Sequence, residues 1–381
     1  MDVLSLSFQS KRGLVMAQTI IPWGDPKAQK KWSSTLAVDV AAQSYWGRKF
    51  MGKGQNNIIE EKLEIASDAG DRVSFDLSVR LRQRPTAGDK RVKGKEENLR
   101  FYTDEVIIDQ LRHPVSAGGR MSRKRTIHDM RKIAKDRLAE YWRTYLDELK
   151  FIYMSGARGM NEEFIEGEDY AGHADNPLRA PDSTHHLFGG SATAKGNITA
   201  TDRMSRNLIE RAETHARMIR SYDREATALM PVNIEGSDRF AVVMSKYQEH
   251  DLRVNDTEGW VKIQADASKA EGRNNPIFKG ALGMIKDVVL HAHENAIRFN
   301  DFGAGANLPA ARALFMGRQA GVIAYGTPGG MRYMWKEEME DYDNEPTVVA
   351  GVIFGFSKTR FNNRDFGLIS LDTHAAPPVG V

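Results

Sequence analysis

Between Arg72 and Arg82 the chain reads Arg-Val-Ser-Phe-Asp-Leu-Ser-Val-Arg-Leu-Arg, with Val73, Phe75, Leu77, Val79 and Leu81 alternating against mostly polar residues. A period of two places all five on one face of an extended segment, the pattern of a half-buried strand. A second strand-like run, Leu99 to Leu111, carries Phe101, Tyr102, Val106, Ile107 and Ile108. The two are joined by QRPTAGDKRVKGKEEN, residues 83–98, a polar connection far longer than a hairpin turn requires. Segment 58–115 therefore reads as a long hairpin whose tip projects from the body. A two-stranded hairpin is marginal in water, so its apolar face needs a partner, another chain being one candidate. The tip is basic: Arg82, Arg84, Lys90, Arg91, Lys93 and Lys95, tempered by Asp89, Glu96 and Glu97. It has no interleaved aromatics on which bases could stack. Acidic residues of a neighbouring subunit are therefore as good a target as nucleic acid.

Beyond Ser116-Ala117-Gly118-Gly119, apolar residues recur at spacings of three and four: Ile127, Met130, Ala134, Leu138, Tyr141, Tyr145, Leu149 and Ile152. This predicts one apolar stripe on a helix over 122–155, roughly 45 Å long at the usual helical rise. Ile127, Met130, Leu138 and Tyr145 are its expected core residues, with Thr126 and Asp129 as a candidate capping box. The pairs Arg125/Asp129, Lys132/Asp136 and Arg143/Asp147 at i,i+4 predict a solvated, salt-laced opposite face. Ahead of the hairpin, 1–57 reads as an arm with isolated aromatics. Trp23, Trp32 and Trp46 are its candidate anchors, onto another body or onto its own core. A second amphipathic helix is expected at about 202–220. Strands are expected at Arg239–Met244, Val288–His293, Ala313–Met316, Val322–Tyr325, Thr347–Phe356 and Phe366–Leu371. Strands, then a helix, then a mixed remainder define the α+β class and exclude a regular βαβ sheet.

Composition narrows the chemistry. The 381 residues hold 54 Lys and Arg against 51 Asp and Glu, a net charge of +3, far from the excess of a phosphate-neutralising polycation. Cysteine is absent, which excludes disulfides, cysteine-ligated metals and thiol catalysis. No apolar run approaches the ~20 residues of a membrane span, and no membrane partner is expected. The start of the chain does not read as a secretory signal. Gly47-Arg-Lys-Phe-Met-Gly52-Lys53-Gly54 imitates a phosphate loop but puts Gly54 where a Ser or Thr must hold magnesium, and no strand-like run precedes it. His291 and His293 share a strand face and could bind a metal only with a third ligand that spacing does not supply. A phosphate- or metal-handling enzyme at Gly52-Lys53 or His291/His293, and a nucleic-acid module at 82–95, stand as the alternative readings. No cofactor is expected, and nothing specifies a reaction.

The order of arm, hairpin, long helix and mixed remainder resembles the major capsid proteins of tailed bacteriophages, with the Hong Kong 97-type fold. Local words sharpen the resemblance: Gly70-Asp71-Arg-Val73-Ser-Phe75, Glu96-Glu97-Asn98-Leu99-Arg-Phe101-Tyr102, Arg112-His113-Pro114-Val115 and Gly119-Arg120-Met121-Ser122. So do Asn275-Pro276-Ile277-Phe278-x-Gly280-x-Leu282-Gly283-Met284 and Gly355-Phe356-x-Lys358-Thr359-x-Phe361 with Phe366-Gly367. The resemblance implies an N-terminal arm at 1–57 and an extended β-hairpin loop at 58–115. It implies a peripheral domain with the spine helix at 116–200, a mainly axial domain at 201–345, and C-terminal strands returning to the sheet at 346–381. It further implies a virion shell protein, not an enzyme. Such a protein is assembled in the host cytoplasm as hexamers and pentamers around double-stranded DNA, with the tip cations between subunits. Its assembly would need a separate scaffolding protein or the removal of a short peptide, and its other partners would be itself, a portal and decoration proteins.

Overall fold

The computed structural model describes residues 44–63, 70–79, 81, 83–222, 228–256, 259, 275–326 and 334–378. Trp23, Trp32 and Arg82 lie outside them. The chain divides into two units: one of Met1–Ala42, Arg112–Tyr141 and Tyr333–Gly351, the other of Gln43–Leu111, Trp142–Arg332 and Val352–Val381.

The larger unit is organised by a mixed eight-stranded sheet. Ser237–Met244 runs parallel to Val288–Ala292 and antiparallel to Leu308–Met316. Leu308–Met316 pairs in turn with Leu368–His374, from Ala310↔His374 to Met316↔Leu368. These strands are buried along almost their whole length, and Phe240–Met244 and Ala313–Met316 are accordingly continuous apolar runs. The expected helix forms at Arg206–Tyr222 and lays Leu208, Ile209, Ala212, Ala216 and Ile219 against Phe240, Val242, Leu290, Phe315, Ile369 and Leu371. Arg312 and Asp372 face each other in register within this sheet, and Arg312 makes two 2.7 Å bonds to the carboxylate. His186 also reaches Asp372 at 2.6 Å, and Arg312 donates to Ser155 O at 2.7 Å. A buried charge requires this degree of pairing.

A second sheet in the same unit holds the hairpin. Ile59–Lys62 lies parallel to Met51–Gly52 and to Gly321–Tyr325, and Gly321–Tyr325 pairs antiparallel with residues 354–358. Residues at the start of 58–115 are thus sheet, with Ile58 and Ile59 buried. Arg72–Ser78 and Phe101–Ile107 form the hairpin, from Arg72↔Ile107 to Ser78↔Phe101. Val73 faces Val106, and both pack on Val322 and Ala324, so the hairpin's base finds its apolar partner in its own chain. Gly355 permits this approach: a Cβ there would sit 2.0 Å from Ile107 O.

The long helix spans Met130–Ser155, not 122–155. A separate short helix, Arg120–Arg125, precedes it and ends at Thr126, whose backbone is extended. Thr126 Oγ1 accepts from His128 N, and Asp129 Oδ1 accepts from Lys132 N, so the side chains take amides that a continuous helix would use. Ile127 falls in this break and is 58 % exposed, so it is not a core residue. Met130 is half-buried, whereas Leu138 and Tyr145 are buried. The expectation of a charged, solvated face fails at the helix's end, because every residue from Tyr145 to Ser155 is buried, Asp147, Glu148 and Lys150 included.

In the smaller unit, Met334–Glu340 pairs antiparallel with residues 345–351 across a turn in which Asp341, Tyr342 and Asp343 have φ of 48°, 52° and 66°. Arg120 donates to Asp343 O and Arg123 to Asn344 O, tying the short helix to this turn. His113 stacks on Tyr141 at 4.2 Å between ring centroids.

Candidate functional site

Beyond its paired strands the hairpin continues to a tip that buries little. Val79 N donates to Arg100 O at 2.9 Å, after which no backbone–backbone bond joins the two stretches among the described residues. Gln83 N donates to Glu97 and Gly94 N to Glu96, which gives two of the tip's three carboxylates a structural task. Arg84, Lys90, Arg91, Lys93 and Lys95 pair with no carboxylate among the described residues. Leu81, Val92, Leu99 and Phe101 stand about 60 % exposed beside them. Unpaired cations and exposed apolar side chains thus occur together along 81–101, an arrangement suited to contact with another macromolecule.

Of the arm anchors, Trp46 is described and lies in the larger unit's own core. It is fully buried in the short helix Tyr45–Lys49, against Phe50 and Phe151 at 5.4 and 4.8 Å. Asp147 clamps the start of that helix, accepting from Ser44 Oγ and Tyr45 N at 2.6 Å each. Burial and the Asp147 charge push the Tyr45 hydroxyl pKa well up. Lys150, 3.5 Å from Asp147, is lowered by burial. Sequence reasoning missed Asp147 as a clamp because its spacing from Arg143 reads identically for an exposed pair.

The two alternative enzymatic sites serve other ends. The Gly47–Gly54 segment passes from helix to the strand Met51–Gly52, the reverse of a phosphate loop's strand, loop and helix, and Lys53 is exposed. His291 is fully buried against Phe50, with Nε2 bonded to Ile277 O at 2.8 Å. His293 stacks on Phe151, and its Nδ1 accepts from Asn295 N. Burial lowers both pKa values, that of His291 to about 4 with help from the Lys49 charge. Among the described residues no third ligand joins them.

Two further ionic groups went unnoticed in the sequence. Burial alone would raise the Asp372 pKa, but the charge and hydrogen bonds of Arg312, with His186, bring it down to about 2. Lys358 and Asp365 pair at 2.7 Å with almost no exposure, Arg360 supporting the carboxylate at 2.9 Å. Burial brings Lys358 down to about 8 against the pull of Asp365. A lone charge inside an apolar run, such as Arg312 within Ala310–Met316, was the available signal. These pairs are internal and fixed, whereas the exposed tip has capacity for a partner.

Residues 20–377 match the phage capsid protein family. The major capsid protein of Pseudomonas phage KPP25 is 24% identical over 350 residues, 84% of this chain and 89% of that protein. The fold is similar to the capsid of Ralstonia phage GP4, with a TM-score of 0.88 and 60% identity over 96% of this chain and 100% of that one. The cyanophage Pam1 capsid shares the fold at a TM-score of 0.71 and 21% identity, over 91% of this chain and 96% of its own.

Proposed function

The chain belongs to the phage capsid protein family, and from that premise we propose that it assembles as hexamers and pentamers into an icosahedral head enclosing double-stranded DNA. It has the Hong Kong 97-type fold and serves as a major capsid protein, a structural component of the virion and not an enzyme. The observation that carries the reading is the 60% identity to the Ralstonia phage GP4 capsid across 96% of the chain.

The hairpin tip is the intersubunit element in this proposal: Arg84, Lys90, Arg91, Lys93 and Lys95, with Arg82, engage a neighbouring subunit. Segment 1–57 is the arm, 58–115 the extended loop, 116–200 the peripheral domain, 201–345 mainly the axial domain, and 346–381 the returning strands. A scaffolding protein guides assembly in the host cytoplasm, a portal occupies one vertex, decoration proteins bind outside, and DNA lies against the inner face. What supports self-association is the contrast between internally satisfied charges and a tip whose cations have no described partner. Negative-stain microscopy of the expressed protein tests it: closed particles, or the hexamers and pentamers that build them, are expected, and monomers alone would overturn it.

A further inference from the structure

Val73 packs on Val322 and Ala324, but the next two residues on the hairpin's apolar face, Phe75 and Leu77, are only half-buried. They line a cavity of about 230 Å³ whose other walls come from the strand Ile59–Lys62 and from residues 319–322 and 359–366. Aromatic rings form its apolar side. Phe75 meets Phe361 edge-on at 5.9 Å between centroids, and Phe361 meets Phe366 edge-on at 5.2 Å. Thr359 also lines the cavity; it is 2 % exposed, and its Oγ1 has no hydrogen-bond partner among the described residues. A buried hydroxyl without a partner costs stability, which a bound hydrogen-bonding group would recover. Glu60, equally buried, lies 2.8 Å from Lys62 through Oε1 and accepts from Gln319 at 2.8 Å through Oε2. Each of its oxygens keeps a second lone pair.

We propose that this cavity is a binding site for a small phenolic amine. Apolar walls with a few placed polar groups are the usual make-up of a small-molecule site. At about 230 Å³ the cavity is below the ~300–1,000 Å³ of drug-sized pockets, which limits the ligand to a single ring with a short chain. The ring sits among Phe75, Phe361 and Phe366, and its hydroxyl supplies the partner that Thr359 Oγ1 lacks. Charge selects the other end. Glu60 and Asp76 bring two negative charges to the lining against one positive charge on Lys62, and Asp76 pairs with no Lys or Arg among the described residues. An ammonium balances that excess, whereas a carboxylate adds to it. The site is separate from the exposed tip and does not depend on the shell reading. Because one wall is the hairpin and the others are the body of the same unit, a bound ligand ties the two together.

The test titrates tyramine into the full chain and reads binding by saturation-transfer NMR, with benzylamine, phenol and 4-hydroxyphenylacetate as comparisons. Tyramine should saturate in the millimolar range. Benzylamine, without the hydroxyl, and phenol, without the ammonium, should each bind about fivefold more weakly, and 4-hydroxyphenylacetate should not saturate in that range. Thr359→Val keeps the side chain's shape and removes its hydroxyl. It should weaken tyramine about fivefold and leave benzylamine unchanged. Its ligand-free melting temperature should not fall, because the empty site loses an unpartnered polar group. Glu60→Gln should weaken tyramine and benzylamine alike, and unchanged phenol binding would report that the cavity is intact.

No saturable tyramine binding to the wild-type chain would overturn the inference. Wild-type affinity for tyramine in both variants would overturn it as well, since binding would then lie elsewhere on the surface. If 4-hydroxyphenylacetate binds as tightly as tyramine, the carboxylates do not select the ligand and the assignment fails. Binding by the unassembled chain but not by closed particles would give the cavity to a side chain of a neighbouring copy instead. None of these results bears on the shell reading, which particle formation tests separately.

Discussion

The base and the tip of the hairpin are the same two stretches of chain, and they differ in almost every physical respect. At the base, Val73 and Val106 are buried on Val322 and Ala324. Asp104 there binds Arg179 bidentately at 2.8 Å and accepts from Arg360 N at 3.0 Å. Just beyond the tip-side ends of the two strands, Leu81 and Leu99 stand about 60 % exposed and the cations have no carboxylate partner among the described residues. The base contributes to the chain's own stability and the tip contributes almost nothing to it. A chain that carries so exposed a tip on a firmly packed stem is organised for contact with another molecule.

The largest effect that would sharpen this contrast comes from the stem and the helix core. Asp104→Ala leaves Arg179 without its carboxylate, and urea unfolding should show a loss of about 3 kcal/mol, at the low end for broken buried pairs because Arg179 keeps some solvent and its bond to Lys358 O. A loss below about 0.5 kcal/mol would erase the distinction between base and tip. Leu138→Ala, at a site 1 % exposed, should cost ~2–5 kcal/mol by the same assay.

Acidification comes next. His291 is held neutral by burial, with a folded pKa of about 4, below its unfolded value. The unfolded chain therefore binds more protons between these values, and stability falls as pH drops from about 6.5 to 4, by on the order of 3 kcal/mol. His291→Gln should flatten that part of the stability–pH curve; an unchanged slope would remove His291 as its source. The smallest effect belongs to Arg137→Ala, which breaks an exposed i,i+3 pair with Glu140 and should cost only ~0.2–0.5 kcal/mol in thermal melts.

The hairpin was legible because burial on one face writes a period of two into the sequence, and residues 72–78 and 101–107 keep it. Its packing partner was not legible. Gly321–Tyr325 is far away along the chain, and a long-range contact leaves no local pattern. The helix stripe was legible from Leu138 onward, but Ile127 extended the same spacing across a break imposed by the Thr126 and Asp129 side chains. Asp147 was misread for a related reason: its i,i+4 relation to Arg143 is unchanged whether the residue meets water or Ser44 and Tyr45. At the candidate site, residue type alone marked the tip cations, whereas the lack of a carboxylate partner for Arg84, Lys90, Arg91, Lys93 and Lys95 among the described residues could be seen only in the structure.

The most direct test compares wild-type chain with a form lacking residues 84–97, each followed by urea unfolding and by sedimentation with negative-stain microscopy. The account predicts matching unfolding midpoints, since the deleted residues bury little, together with closed particles from the wild type and none from the deletion form. Closed particles of normal size from both chains would contradict it, because the tip would then serve neither the fold nor the shell.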